Sequence, residues 1–277
     1  MVFPTSWGGG IRDWTPVGVC ELEILQTRGL TKFFGGLAAV NEFDLNVNGG
    51  EILGLIGPNG AGKTTVLSMI AGTLMPRAGR ITLEGEDITR WPAYKRTRRG
   101  IARVFQRNAL FQDMTVLENV LAGSHLRATH GLFEIFYKRA LILRQAKVLQ
   151  DRAMDILRFV GLDKKTGQNA VSLPHGGQRL LCLAVALAAD PRLLLLDEPF
   201  TGMNVEEVTN IISLVKALRD ERGITTIVVE HNMRAVLDLC DRAVVLNYGN
   251  KMTEGTPQDV IEDPAVIEAY LGVDDAL

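Results

Sequence analysis

Apolar residues along this chain come in short, glycine-punctuated runs. Phe43 to Val47, Glu51 to Ile56, Arg80 to Leu83 and Ile101 to Phe105 have strand length and either alternate with polar residues or run on continuously. From about Arg107 to Leu183 charged and apolar residues mix at helical spacing, as in Arg144 to Val160 with Val148, Ala153, Ile156, Leu157 and Val160, which predicts a helical insert. Leu193 to Leu196 and Ile224 to Val229 are then continuous apolar runs joined by a predicted helix over Val205 to Arg219. Strands apolar on both faces and linked by helices predict a parallel α/β sheet. Met1 to about Glu23 is rich in Gly, Trp and Pro without periodicity and is expected to be a poorly ordered leader or a surface arm. No segment recurs at a period of about 20–50 residues, so one copy of the α/β unit is expected.

Composition narrows the classes. With 277 residues and 47% hydrophobic content, the chain can bury a substantial core. Its 30 Lys and Arg against 32 Asp and Glu leave a formal charge of -2, without the basic excess of a nucleic-acid binder. The longest apolar runs, Leu180 to Ala189 and Leu193 to Leu196, fall well short of the ~18 residues a membrane-spanning helix needs. Met1 to Gly10 lacks the cationic and apolar segments of a secretory signal. Cys20, Cys182 and Cys240 are odd in number and widely spaced, which fits a reducing compartment, with Cys182 and Cys240 read as small apolar residues.

The chemistry begins at Gly57-Pro58-Asn59-Gly60-Ala61-Gly62-Lys63-Thr64-Thr65, the spacing that wraps nucleotide phosphates. Glycines let backbone N–H groups turn inward toward a dense anion, where side chains would obstruct. The context is the required one: Glu51 to Ile56 is a predicted strand feeding the loop, and Lys63 to Ala71 a predicted helix whose N-terminus faces the phosphates. Lys63 would pair with the β- and γ-phosphates and the Thr64 hydroxyl would ligate Mg²⁺. Further on, Leu193 to Leu196 delivers Asp197-Glu198 at a strand end, a pair that in isolation reads first as a helix N-cap, a reading the phosphate cradle upstream reverses.

Taken in order with Gln106, the Leu173 to Arg179 segment, Asp197-Glu198 and His231, the loop resembles the ABC-transporter ATPases over about Ile24 to Gly272. The resemblance implies an α/β P-loop NTPase core with an antiparallel β-subdomain and a helical subdomain at about 107–183, within an ATPase domain over 24–272 flanked by residues 1–23 and a tail at 273–277. It implies ATP and Mg²⁺ as cofactors, with Thr64, Gln106 and Asp197 around the metal. Glu198 would be the general base for the attacking water, and His231 would contact the γ-phosphate. Lys63 and Gln106 complete the catalytic set, and Phe34 would stack on adenine, with Phe33 as the competing register.

The family's signature loop, usually Leu-Ser-Gly-Gly-Gln, corresponds here to Leu173-Pro174-His175-Gly176-Gly177 followed by Gln178. In the family it reaches across a dimer to the nucleotide on the other subunit, so Gly176, Gly177 and Gln178 are candidate nucleotide contacts. Pro174 has neither hydroxyl nor N–H, and one lost charge-assisted hydrogen bond is worth about 1.5–3 kcal/mol. A homodimer, or a heterodimer with a sibling ATPase that leaves one weaker site, follows as the expectation. Asn204 stands where many members carry Asp.

Phe34 to Val40, Leu110 to Val120, Glu254-Gly255-Thr256-Pro257 and Val266 to Gly272 resemble the branched-chain amino-acid importer subfamily, with strings shared by urea, amide and lipopolysaccharide transport ATPases. The resemblance implies a peripheral subunit at the cytoplasmic face of the plasma membrane. Its partners would be transmembrane permeases and, indirectly, an extracytoplasmic binding protein, with no nucleic acid. Phe111, Met114, Val116 and Leu117 are expected either to form an apolar groove for a permease helix or to be ordinary core. Lys95, Arg96, Arg98 and Arg99 are expected to face solvent, lipid headgroups or permease acids. The rivals are a soluble ABC ATPase and a regulatory subunit that binds ATP without turnover.

Overall fold

Two long strands open the described part of the chain, β1 (Glu23–Phe34) and β2 (Leu37–Asn48). In β2, Phe43, Leu45 and Val47 are buried while Asp44, Asn46 and Asn48 are exposed, the period-2 pattern of a sheet covered on one face. The computed structural model describes residues 23–104, 110–124 and 139–271. They divide between two compact units, one within 16–106 and 192–277, the other within 107–191.

In the first unit, β3 (Ile52–Ile56) is buried at every position and runs into the loop before α1 (Lys63–Ala71). Then follow β4 (Ala78–Leu83), β5 (Glu86–Asp87), α2 (Ala93–Arg99) and β6 (Ile101–Val104). The second unit is helical: α3 (Val116–Ser124), α4 (Arg139–Phe159) and α5 (His175–Ala188). The chain returns to the first unit as β7 (Leu193–Asp197), α6 (Val205–Arg222), β8 (Thr225–Val229), α7 (Met233–Leu239), β9 (Arg242–Asn247) and β10 (Asn250–Gly255), and ends in α8 (Pro257–Glu262) and α9 (Pro264–Leu271).

A four-stranded antiparallel sheet takes the order β2-β1-β4-β5, and a six-stranded sheet the order β10-β9-β3-β8-β7-β6. The pairs joining β9, β3, β8, β7 and β6 are all parallel. β3, β7 and β8 have no exposed side chain, so polar groups carried by this sheet collect at its strand ends.

The basic cluster at 95–99 does not act as one surface. Lys95 and Arg98 are exposed, and Arg99 pairs with Glu84 and Glu86. Arg96 is fully buried. Its Nη1 donates to the carbonyls of Met69 and Ile70 at 2.6 and 2.8 Å, Nε to Trp91 at 3.0 Å and Nη2 to Thr89 at 2.9 Å. Carbonyls at the end of a helix lack intrahelical donors, and this guanidinium supplies them to α1; burial lowers its pKa to about 10.

In the helical unit Val116 is core, whereas Phe111 is 55% and Met114 37% exposed. Buried Asn119 holds their loop: its Oδ1 accepts the Phe111 N–H at 2.9 Å, and its Nδ2 donates to the carbonyls of Phe111 and Thr115 at 3.1 and 3.0 Å. Of the two alternatives for this segment, Val116 takes the core one, while Phe111 and Met114 remain exposed.

Arg96→Met keeps the apolar stem and removes the guanidinium donors from four carbonyls, of which that of Met69 keeps the Gly72 N–H. It is expected to cost about 3 kcal/mol and to lower the thermal unfolding midpoint by roughly 6–12 °C, read by calorimetry at a fixed nucleotide concentration.

Candidate functional site

The loop between β3 and α1 is shaped by close backbone approaches. Gly57 has φ 146° and Gly62 φ 105°. A Cβ at Gly57 would lie 2.0 Å from the Leu246 carbonyl oxygen, and one at Gly62 would lie 2.2 Å from that of Ala39. Gly249 at the β9–β10 turn donates its N–H to the Ala61 carbonyl at 3.0 Å, bracing the loop from the side. Pro58 and Ala61 are buried, Asn59 and Gly60 exposed.

Gly62 is the N-cap of α1 and supplies no side-chain cap, so the first N–H groups of the helix are left for an anion. Lys63 is buried, with Nζ donating to the carbonyls of Gly57 and Pro58 at 2.6 and 2.8 Å. Burial lowers its pKa, against the opposing pull of Glu198, Asp197 and Glu230. A buried ammonium beside uncapped N–H donors, in a cradle too tight for side chains, fits a polyphosphate. Thr65 follows on α1 and is half-buried.

Asp197, the last residue of β7, is almost fully buried. Its Oδ1 accepts the Thr64 hydroxyl at 3.3 Å and its Oδ2 accepts Arg103 Nη2 at 2.6 Å. Arg103 Nη1 donates to Ser68 Oγ at 2.9 Å, and Ser68 Oγ in turn donates to the Thr64 carbonyl at 2.6 Å. This closed circuit joins α1, β6 and β7 and brings Thr64 and Asp197 together as oxygen donors. Among the described residues no group of three or more His, Cys, Asp or Glu side chains forms a metal cage. A hard cation at Thr64 and Asp197 would complete its shell from phosphate and water, the usual arrangement for Mg²⁺ with a nucleotide.

Glu198 is half-buried at φ 48°, a left-handed conformation costing roughly 1 kcal/mol for a non-glycine residue. Its N–H donates to the Val229 carbonyl at 3.0 Å. Asp197-Glu198 is not a helix N-cap: the cap of α6 is Asn204, in a reciprocal capping box with Glu207. His231 follows β8 with its imidazole about half exposed, and its N–H donates to Glu230 Oε2 at 3.1 Å. Glu230 is buried, which raises its pKa against three backbone hydrogen bonds.

Phe34 is 52% and Phe33 40% exposed, so neither ring is core; the Lys32 ammonium lies 5.7 Å from the Phe34 ring centroid. Gln106 lies outside the described residues. In the helical unit, Pro174 is the N-cap of α5 without a side-chain cap bond, and Pro174 and His175 are exposed while Gly176 is buried. Gly177 is half-buried, and Gln178 Nε2 donates to the Leu173 carbonyl at 3.0 Å.

The structure thus gathers Lys63, Thr64, Asp197, Glu198 and His231 at the strand ends of one sheet. Sequence reasoning passed over Arg103, Ser68 and Glu230. For Arg103 and Glu230 the available signal was a charge in or beside an apolar strand, which requires a buried partner; Ser68, on α1, carried none.

The family described as ABC transporter matches residues 40–201, and that described as branched-chain amino acid ATP-binding cassette transporter matches residues 251–276. The high-affinity branched-chain amino acid transport ATP-binding protein BraF of Pseudomonas aeruginosa is 38% identical over 249 residues, covering 90% of this chain and 98% of that protein. Among solved structures, the ADP conformation of MJ1267, an ATP-binding cassette of an ABC transporter, superposes with TM-score 0.78 at 32% identity, covering 90% of this chain and 99% of that one. A dimeric post-hydrolysis state of the cassette MJ0796 bound to ADP and Pi gives TM-score 0.73 at 25% identity, covering 84% and 98%.

Gly62→Ala forces a methyl onto the Ala39 carbonyl at a strained φ and is expected to weaken ATP binding at least about tenfold, roughly 1.4 kcal/mol. Gly167→Ala, with open space around its Cβ, is expected to leave it unchanged; titration with a fluorescent ATP analogue reads both.

Proposed function

The chain belongs to the ABC transporter family, and from that premise we propose that it is the ATP-hydrolysing subunit of an importer for branched-chain or related amino acids. ATP binding and hydrolysis come with the family. The substrate class rests on the C-terminal segment over 251–276 and on the relatives' transport of branched-chain amino acids. No helix among the described residues is long and apolar enough to cross a membrane, which agrees with a peripheral subunit joined to separate permeases at the cytoplasmic face.

The observation that carries the mechanism is the convergence of Lys63, Thr64, Asp197, Glu198 and His231 at the ends of β3, β7 and β8. The Gly57–Thr65 loop holds the phosphates of ATP through backbone N–H groups and Lys63, while the Phe34 ring stacks on the adenine. Thr64 and Asp197, joined by Gln106 as the family resemblance implies, would hold Mg²⁺, which would supply neutralisation of phosphate charge. Glu198 orients the attacking water and accepts its proton, and His231 donates to the γ-phosphate.

Two such subunits close on two ATP molecules, the Leu173–Gln178 segment of each facing the nucleotide of the other. Closure reorients the permease halves, and hydrolysis releases them. Pro174 weakens one contact to the phosphate, which favours a sibling ATPase with an unmodified loop as the natural partner.

Glu198→Gln is expected to bind ATP with little change in affinity, to lose at least about 100-fold in turnover, and to form an ATP-dependent closed dimer by size-exclusion chromatography. A closed dimer without ATP would sink the scheme. Purifying the tagged chain from its native membranes in mild detergent is expected to recover multi-spanning permeases; recovery of soluble proteins alone would overturn the transport assignment.

A further inference from the structure

The described residues include three buried carboxylates, Glu51, Asp197 and Glu230. Glu51 pairs with Arg242 at 2.7 Å and Asp197 with Arg103 at 2.6 Å, each an anion balanced by a guanidinium. Glu230 is 1% exposed, and among the described residues no Lys or Arg forms a salt bridge with it; the His231 imidazole lies 4.0 Å away. Backbone holds it instead. Oε1 accepts the Phe200 N–H at 3.2 Å, and Oε2 accepts those of His231 and Asn232 at 3.1 and 3.4 Å.

These donors lie on two different turns. Phe200 belongs to the turn that begins at Glu198, while His231 and Asn232 belong to the turn leaving β8. The parallel pairing of β7 with β8 ends at Asp197 and Val229, and one more backbone bond runs from the Glu198 N–H to the Val229 carbonyl. Beyond that rung, the Glu230 side chain carries the link. It therefore ties down the segment that keeps Glu198 in its left-handed conformation, which has to be held by its neighbours.

We infer that Glu230 is a positioning residue, a buried strut that fixes the turn carrying Glu198 to the turn carrying His231. The inference rests on the roles given above to Glu198 and His231. A carboxylate suits the task because both of its oxygens accept hydrogen bonds. A glutamine of the same shape would turn an N–H₂ group toward an N–H donor, and the strut would come loose at one end. The γ-phosphate contact and the general base would then move independently, weakening the transition state more than ground-state binding of ATP.

The test uses the purified full-length chain and variants E230Q, H231A and the double variant. E230Q is expected to lower kcat about 10- to 100-fold, the scale of one charge-assisted hydrogen bond. KM and the ATP dissociation constant should stay within about threefold. On the H231A background E230Q should cost clearly less than in the wild type, because only the Glu198 end of the strut then carries a reacting group. Unchanged kcat for E230Q, equal losses on both backgrounds, or ATP affinity falling in parallel with kcat would each overturn the role, the last marking a residue needed only for folding. If E230Q does not accumulate as folded protein, E230D, charged but one methylene short, is expected to show the same split, and its failure to do so overturns the proposal. An inactive wild type in the same assay would instead bring down the roles of Glu198 and His231, and this one with them; an active wild type confines any failure to Glu230.

Discussion

A buried carboxylate needs an ion pair or hydrogen-bond donors, and Asp197 meets that demand with Arg103 on β6 and Thr64 on α1. Strand order and hydrophobic packing bring these elements near one another, but packing is non-directional. The Arg103–Asp197 pair, extended through Ser68, adds direction by fixing how α1 is rotated about its axis and which Asp197 oxygen faces Thr64. A Lys at 103 would offer one point charge where the guanidinium spans two acceptors.

The parts legible in the sequence were those whose signal is local. Gly57–Thr65 carries its meaning in its own spacing, and Lys63–Ala71 is helical over the residues expected. The apolar runs of β3, β7 and β8 announce burial on both faces. β1 escaped notice because register shifts against β2 break its alternation, which erases the period a reader relies on. β9 escaped for the opposite reason: four apolar residues, Ala243 to Leu246, suit a buried strand or a turn of buried helix equally well.

Site residues that depend on distant partners were the hardest to see. Arg96 reads as one charge among four neighbours, and only the fold shows that carbonyls of α1, some 27 residues away in sequence, are waiting for it. Glu230 stands beside His231 and was overshadowed by it, since nothing local says that Phe200, 30 residues earlier, needs an acceptor. In the helical unit Asn119 is similar: a polar residue beside the exposed Glu118 and itself buried, whose amide organises the loop that presents Phe111 and Met114.

The buried guanidinium at the end of α1 bears on what the phosphate loop is as an object. With the Ser68, Met69 and Ile70 carbonyls taken up by the N–H groups of residues 72–74 and by Arg96, and the amide end without a side-chain cap at Gly62, the hydrogen-bonding capacity of α1 is asymmetric: occupied at its carbonyl end and open toward the loop. The binding element is therefore larger than its nine-residue motif, because the polarity that draws an anion to one end is completed by a side chain more than twenty residues downstream. Transplanting the glycine-rich loop and its helix into another scaffold would carry over the spacing and leave behind the counterpart that makes the helix one-sided.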